Sequence, residues 1–467
     1  MVHFSLVIGV FLCAMGVGSY LSQHVKTHLV AAFIAIEVLV GLIGGLTGLI
    51  GFVAFAFTEI YLEVLFGCVI TVGILIGYEV PLVIRILRKR SALRVSVANV
   101  MAADYAGALL ASVLFPFVLV PHVGLVLGSV LVGLANVGVG WVVLWVLRRQ
   151  LERRHLRKLI ALAGAATTIL VGVIVGGPSI HKGLQRSLFQ DEVIFDKETP
   201  YQHLVLTRWR DDTRLFINGA LQFASADEYR YHEALVHPAF SSLPVARRVL
   251  VLGGGDGLAV REVLKYSAVD HIDLVDLDPE MTRLFRERPI LAELNGNSLS
   301  HSAVTIHNED AMAFVARTGP SYDMVVIDLP DPNNLALSKL YSLEFYRLLG
   351  RRLAHGGVIV TQATSPFHTR KAFWCIAHTL EASGLKAYPY TAHVPSFGQW
   401  GFVMASKRTL NPSELRLSVK TRHLTDALLA TLFVFGKDTA EVDTPINRID
   451  DHPLARLYAE GFSRYFD

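Results

Sequence analysis

The sequence predicts two domains of different class, a multi-span α-helical membrane domain followed by a soluble α/β domain. Three observations predict this. Of the 467 residues, 52% are hydrophobic and only 18% charged, and a mean hydropathy of +0.44 is too high for a purely soluble protein. The apolar excess lies almost wholly before about residue 178. Beyond residue 247, short apolar runs alternate with helix-like segments, and the first of these runs ends in a glycine turn.

Runs at roughly 3 to 21, 29 to 57, 61 to 84, 98 to 120, 123 to 147 and 159 to 178 are each long and apolar enough to cross a bilayer. Residues 1–180 therefore read as a membrane domain of about six spans, multi-pass in a cell (inner) membrane. The second run carries Gly41, Gly44, Gly45, Gly48 and Gly51, which suits tilt, a break or close helix packing. The first run has no basic leader and further spans follow it, so it is expected to be retained and not cleaved as a signal peptide. Basic residues cluster in Arg85-Ile-Leu-Arg-Lys-Arg90 with Arg94, and in Arg148-Arg149 through Arg153, Arg154, Arg157 and Lys158. The positive-inside rule turns both loops to the cytoplasm. With six spans, the N-terminus and the soluble domain then lie outside, unless one run does not cross.

Glu37, Glu79 and Asp104 lie within or at the edges of apolar runs, where acids are costly. Either Glu79 and Asp104 pair with the basic loop between them, or the acids serve transport, with Glu37 the best candidate. Cys13, Cys68 and Cys375 have no metal-like spacing, so neither a disulfide framework nor a metal site is expected. The net charge of +3 and pI of 8.6 come largely from the loops beside the apolar runs. That favours lipid headgroups over nucleic acid as neighbours.

In the soluble half, residues 190–238 form a small β module. Arg214-Leu-Phe-Ile217 and Ala220-Leu-Gln-Phe223 flank Asn218-Gly219, a strong hairpin signal. A helix starts at Asp227-Glu-Tyr-Arg-Tyr-His232. Strands at 249–253, 272–276, 303–307, 323–328 and 357–362 then alternate with helices, predicting a doubly wound, Rossmann-like core over 239–407. Residues 408–467 read as a C-terminal helical extension, with an amphipathic segment from Leu424 to Phe433 and a final aromatic helix from Leu457 to Phe466. It either packs on the soluble core or faces the membrane.

The chemistry gathers at the strand ends. Val249-Leu-Val-Leu-Gly-Gly-Gly-Asp-Gly257 runs a buried strand into a glycine turn, where Gly253 and Gly255 let backbone approach a nucleotide. Asp276, about twenty residues on, stands where such folds bond ribose hydroxyls. A carboxylate at Asp256 would repel a pyrophosphate, so a dinucleotide is disfavoured and a cationic nucleoside preferred. Decarboxylated S-adenosylmethionine, which ends in an aminopropyl ammonium, suits Asp256 better than adenosylmethionine with its carboxylate. Alternatively, Asp256 is a turn residue or caps the following helix. Asp310, before Ala311, could accept from an adenine amino group, and Asp328 and Asp331 follow the next strand.

Taken together, these residues resemble the spermidine synthase family, the polyamine aminopropyltransferases, in its membrane-anchored bacterial form. The resemblance rests on Tyr201-Gln202, Asp227-Glu-Tyr, Tyr231-His232-Glu233, Gly253 to Gly257, Val275-Asp-Leu-Asp278, Asp310-Ala311, Asp328, Asp331-Pro332, Leu340-Tyr-Ser-Leu-Glu-Phe-Tyr346 and Gln362, and covers roughly residues 190 to 407. It implies that Gln202 and Asp276 hold the nucleoside, Asp310 the adenine and Asp256 the aminopropyl end. His232 and Asp331 would face the diamine, Gln362 would contact it more weakly, Tyr341 would line the same cavity, and Asp328 would accept the proton. Putrescine is the default acceptor, no cofactor beyond the co-substrate is implied, and homo-oligomerisation is left open.

Individually, His232 could be a packing histidine, and Gln202 and Gln362 ordinary strand polar groups. The chain departs from the family where small hydroxyl residues usually separate the two acids, having Leu329-Pro330 instead. It also lacks Gly-Pro character in Asn333-Asn-Leu-Ala-Leu-Ser338, and carries Asp276 where Glu is common. These departures bear on the diamine. Two other readings stand beside the synthase: a different adenosyl-dependent transferase, and a polyamine transporter or sensor whose soluble half binds without turnover.

Overall fold

The computed structural model describes residues 2–58, 60–88, 93–119, 123–189 and 191–466. The chain forms two compact units, Met1–Val193 and Ile194–Asp467.

The first unit holds helices α1 (Val2–Leu21), α2 (Leu29–Phe57), α3 (Tyr61–Leu87), α4 (Leu93–Leu114), α5 (Leu125–Leu147) and α6 (Arg153–Leu188). All six contain a stretch long and apolar enough to cross a membrane. Small residues set their packing. A Cβ on Gly41 would lie 2.7 Å from the Gly133 carbonyl oxygen, and one on Gly133 would lie 2.4 Å from that of Gly41, so α2 and α5 meet backbone to backbone. Arg85 donates to the carbonyls of Ser22 (2.9 Å) and Val25 (2.5 Å), tying α3 to the end of α1. Lys89 and Arg90 of the same basic run lie outside the described residues. Helix α6 runs well past the expected end of the sixth span. It continues without a break through the Gly-Gly-Pro step at 176–178.

The second unit opens with a four-stranded sheet in the order β1-β2-β3-β4: β1 (Glu192–Glu198), β2 (His203–Trp209), β3 (Asp212–Ile217) and β4 (Ala220–Ala224). Asn218 (φ 52°) and Gly219 (φ 81°) make the β3–β4 turn, the positive-φ pair that an Asn-Gly hairpin requires. Helix α7 (Glu228–Ser241) leads into the main sheet. Its parallel strands are β5 (Arg248–Gly253), β6 (His271–Val275), β7 (Val304–His307), β8 (Tyr322–Asp328) and β9 (Leu353–Gln362). Helices α8 (Leu258–Val263), α9 (Pro279–Glu287), α10 (Pro289–Leu294), α11 (Ala311–Ala316), α12 (Leu335–Ser338) and α13 (Leu343–Arg352) lie between them in sequence. Along β5, Val249 and Val251 enter one core while Leu250 and Leu252 enter another, as expected of a strand covered on both faces.

The doubly wound expectation needs one correction. After helix α14 (Arg370–Ala382), β10 (Lys386–Val394) and β11 (Gly398–Ser406) add an antiparallel edge, so the sheet is mixed and reads β10-β11-β9-β8-β5-β6-β7. Pro389 breaks the apolar alternation of β10 and hid it as a strand; at the sheet edge a proline is tolerated. The C-terminal stretch is also less helical than expected. Between β11 and the final helix it is mostly irregular, with one short helix, α15 (Asp426–Thr431), before α16 (Pro453–Phe466). Leu424, Leu429 and Leu432 are buried in the same core as Val249 and Val251, so the stretch packs on the core of the second unit.

Glu233 anchors that stretch. Fully buried, it accepts the backbone N–H groups of Arg422 (2.5 Å), His423 (2.9 Å) and Leu424 (2.9 Å). Replacing it by leucine leaves three amides without an acceptor, at about 1–3 kcal/mol for each one buried. Glu233→Leu should therefore lower the melting temperature of the second unit clearly, with Glu233→Gln intermediate, measured by thermal unfolding of the purified protein.

Candidate active site

In the main sheet, β5 and β6 run toward one edge while β8 and β9 run toward the other, so the crossover point lies between β5 and β8, where open α/β sheets bind ligands. The glycine turn is seated on this point. Gly253 (φ 77°) leaves no room for a side chain, since a Cβ would meet the Asp328 carbonyl oxygen at 2.2 Å. Gly254 N–H donates to the same oxygen at 3.0 Å. Gly255 N–H donates to Asp276 Oδ2 (3.0 Å), and Asp278 N–H donates to Asp276 Oδ1 (2.9 Å), which fixes the strand-end acid.

A cavity of about 340 Å³ opens there, extending from Gln202 and Asp276 past Asp256 and Asp328 to Asp331 and Tyr458. Gln202 Nε2 donates to Asp278 Oδ2 at 3.0 Å. Asp256 Oδ1 accepts the Leu258 N–H, the first amide of α8, at 2.9 Å. The same carboxyl group also faces His232 and Asp328, and one polar atom of each of the three lies within 4.8 Å of the others. Capping and cavity roles are thus combined in one residue. Asp310 Oδ1 caps α11 through Ala313 N–H (3.0 Å), and its Oδ2 accepts from Lys339 Nζ (2.7 Å), with Ala311 beside it on the cavity wall.

Asp328 is only 10% exposed. The Tyr231 hydroxyl donates to its Oδ1 at 2.7 Å, and His232 Nε2 stands 4.0 Å from its Oδ2. His232 in turn bonds Glu228 Oε2 through Nδ1 (2.8 Å). Arg261 clamps Glu228 with two bonds of 2.9 Å. Asp331 accepts from Tyr458 at Oδ2 (2.8 Å) and from Gln362 Nε2 at Oδ1 (3.3 Å).

Tyr341 stands elsewhere than expected. It is fully buried behind the cavity, and its hydroxyl donates toward the carbonyls of Leu329 (3.2 Å) and Pro330 (3.1 Å) while accepting from Gln362 Nε2 (2.6 Å). The Leu329 carbonyl also accepts from Gln362 Nε2 at 2.8 Å, so Tyr341 and Gln362 together hold the backbone of the Leu329-Pro330 loop. Gln362 is similarly committed, with Oε1 accepting the N–H of Thr364, a buried residue held at φ 60°.

Residues 228–415 match the spermine/spermidine synthase domain family. The chain is 41% identical over 473 aligned residues to the polyamine aminopropyltransferase of Leptospira interrogans, spanning 100% of this chain and 93% of that one. It is 43% identical over 468 residues to polyamine aminopropyltransferase 2 of Ralstonia nicotianae, spanning 98% and 91%. A crystal structure of spermidine synthase in complex with the transition state analogue AdoDATO is similar with a TM-score of 0.49 and 22% identity, covering 52% of this chain and 86% of that one. The chain belongs to the polyamine aminopropyltransferase family. It is an aminopropyltransferase.

In this aminopropyltransferase four features of the site escaped sequence reasoning. Tyr231 lies within the Tyr231-His232-Glu233 motif, but its reach to Asp328 depends on how α7 crosses the sheet. Lys339 falls between two motifs, and Tyr458 belongs to a segment that reads as an ordinary aromatic helix. Glu228 carried the one usable signal, its four-residue spacing from His232.

Electrostatics follow from burial. Desolvation pushes the Asp276 and Asp331 carboxyls up to about 6. It does the same to Asp256, against the pull of the nearby His232, and raises Asp328 as well. Burial opposes charge on His232, yet the bond to Glu228 and its charge outweigh this and carry its pKa up to about 9. Asp310 shows the converse: burial raises it, but the bonds from Lys339 and Ala313 hold it below the usual range.

The linkage sign is the same for the raised groups. A carboxyl whose native pKa lies above its unfolded value of 3.8 takes up its proton first in the folded state. Its contribution is full below about 4 and is lost as pH rises through about 6. For His232 it is full below 6.5 and lost as pH rises through about 9. The ligand-free protein should therefore melt several degrees higher at pH 5.5 than at pH 8, and a cationic ligand should shrink the difference. Scanning calorimetry across that range checks both.

Proposed function

We propose that the cavity takes decarboxylated S-adenosylmethionine as donor and putrescine as acceptor, releasing spermidine and methylthioadenosine, with Asp328 as the proton acceptor. The observation that carries this reading is the placement of Asp328: buried at the crossover of the sheet, held at one oxygen by Tyr231, and facing Asp256 within the cavity.

An alkyl ammonium with a pKa near 10.4 is neutral in only about one molecule per thousand near neutral pH. The acceptor amine must lose a proton before it can attack. Burial raises Asp328 toward neutrality, which improves it as a base. The amine nitrogen bonds to the carbon beside the sulfonium, and the C–S bond breaks with its electron pair passing to sulfur. The thioether leaves neutral, and the proton ends on Asp328. No general acid or further cofactor is required, because the sulfonium is already an activated leaving group. Alignment of nitrogen, carbon and sulfur in one cavity supplies much of the acceleration.

Asp256 is the partner for the aminopropyl ammonium, Asp276 and Gln202 for the ribose side of the nucleoside, and Asp310 for the adenine amino group. Asp331 receives the far ammonium of the diamine. His232 presents N–H and positive charge, so it steadies Asp256 and Asp328 until the cationic substrates arrive. Its contribution to diamine binding runs through these acids. The first unit is read as inserted in a bilayer through its six apolar helices.

Incubation of the purified protein with both substrates should yield aminopropylated amine and methylthioadenosine in equal amounts by mass spectrometry. Absence of both products ends the proposal. Asp328→Asn should lower kcat by about a hundredfold or more while calorimetry still detects donor binding. In cell fractions the chain should stay with membranes through an alkaline carbonate wash and enter solution only with detergent; release by the wash contradicts insertion.

A further inference from the structure

Resting on the aminopropyl transfer to a diamine proposed above, we infer that Tyr458 is a specificity residue, closing the acceptor end of the cavity at Asp331 and limiting the length of diamine admitted. The Tyr458 hydroxyl donates to Asp331 Oδ2 at 2.8 Å, and the ring lines the cavity. Gln362 holds the other oxygen, so the carboxylate keeps one orientation and retains lone pairs for an ammonium.

The wall is built, not incidental. Leu454 and Leu457 of α16 are buried in the core beneath the sheet, and the Tyr458 and Phe462 rings lie 4.9 Å apart. A Cβ on Gly461 would meet Thr369 Cα at 2.8 Å, so α16 sits directly on the start of α14. The chain leading to α16 is sewn to the same side of the unit. Fully buried Asn447 donates through Nδ2 to the Ser338 carbonyl (2.8 Å) and accepts Leu343 N–H at its own carbonyl (2.9 Å). Trp374 Nε1 donates to the Thr439 carbonyl at 3.1 Å. All of these tail residues lie beyond 415, outside the segment that matches the synthase domain. The loop between the two acids has no hydroxyl of its own, and the C-terminal helix brings one to Asp331 from 127 residues away.

The two acids fix the span available to the acceptor. One amine is placed at Asp328 and the other at Asp331, both on the loop that ends β8, and the phenol stands against Asp331. An extra methylene in a shaped pocket typically changes selectivity by about 10–200-fold. The Tyr458 bond also favours the ionised form of Asp331, the form that holds an ammonium.

Steady-state kinetics of the full-length protein with decarboxylated S-adenosylmethionine and propane-1,3-diamine, putrescine or cadaverine tests this. Tyr458→Ala should raise kcat/KM for cadaverine relative to putrescine by about tenfold or more. Tyr458→Phe, which keeps the ring packing, should raise KM for putrescine by a larger factor than it lowers kcat. It should also shift the acid limb of the diamine kcat/KM profile to higher pH. If Tyr458→Ala does not fold, Tyr458→Phe decides by its KM and pH profile. Wild-type turnover with variants that keep the diamine ratio, KM and pH profile overturns the inference alone. Wild-type protein that turns over none of the three diamines overturns the transfer reading and this inference together.

Discussion

The constraint on which the second unit depends is the cost of keeping several carboxyl groups away from water at one edge of one sheet. Asp256, Asp276, Asp328 and Asp331 all have their pKa raised by burial, so each pays in desolvation for its position. Such a cluster is held in place only if its oxygens are occupied. Backbone amides serve Asp276, a phenol serves Asp328, and a phenol with an amide side chain serves Asp331. Most of the peculiarities of the local sequence follow from these needs.

The glycines are one consequence. The turn after β5 must lie against Asp328 on one side and Asp276 on the other; a side chain at Gly253 would collide with Asp328, and one at Gly255 with Asp276. The His232 network is another. A cation beside Asp256 and Asp328 lowers their mutual repulsion, but a buried imidazolium needs its own counter-charge, which Glu228 supplies. Arg261 then balances Glu228. Positive and negative groups alternate from the helix surface to the cavity, and the excess of negative charge is left at the cavity end, where the proposed substrates are cations.

Legibility in the sequence followed the range of the interaction. Apolar runs ending in acids marked β5, β6, β7 and β8 and the residues at their ends, because one short segment carries both the burial pattern and the functional group. The Asn218-Gly219 hairpin was legible for the same reason. β10 and β11 were not, since Pro389 interrupts the pattern and their pairing with β9 is set by tertiary context. The family resemblance places Tyr341 at the cavity, whereas the fold turns its hydroxyl to the carbonyls of Leu329 and Pro330. Tyr458 could not be found at all: it reads as one more aromatic on an amphipathic helix, and its partner is 127 residues away.

Asp256 shows how a capping residue and a binding residue can be told apart by charge. Its bond to the Leu258 amide at 2.9 Å is one that asparagine or serine makes about as well. A neutral cap would avoid the desolvation that lifts the Asp256 carboxyl to about 6 and the repulsion from Asp328. Capping alone therefore accounts for a short polar side chain but not for an acid in this position. The charge has a use only when something positive shares the cavity. His232 supplies it in the ligand-free state, and under the proposed reaction the aminopropyl ammonium of the donor would take that place. Because Oδ1 is anchored by the Leu258 amide, such an exchange of partners would leave the carboxylate in its place in the turn.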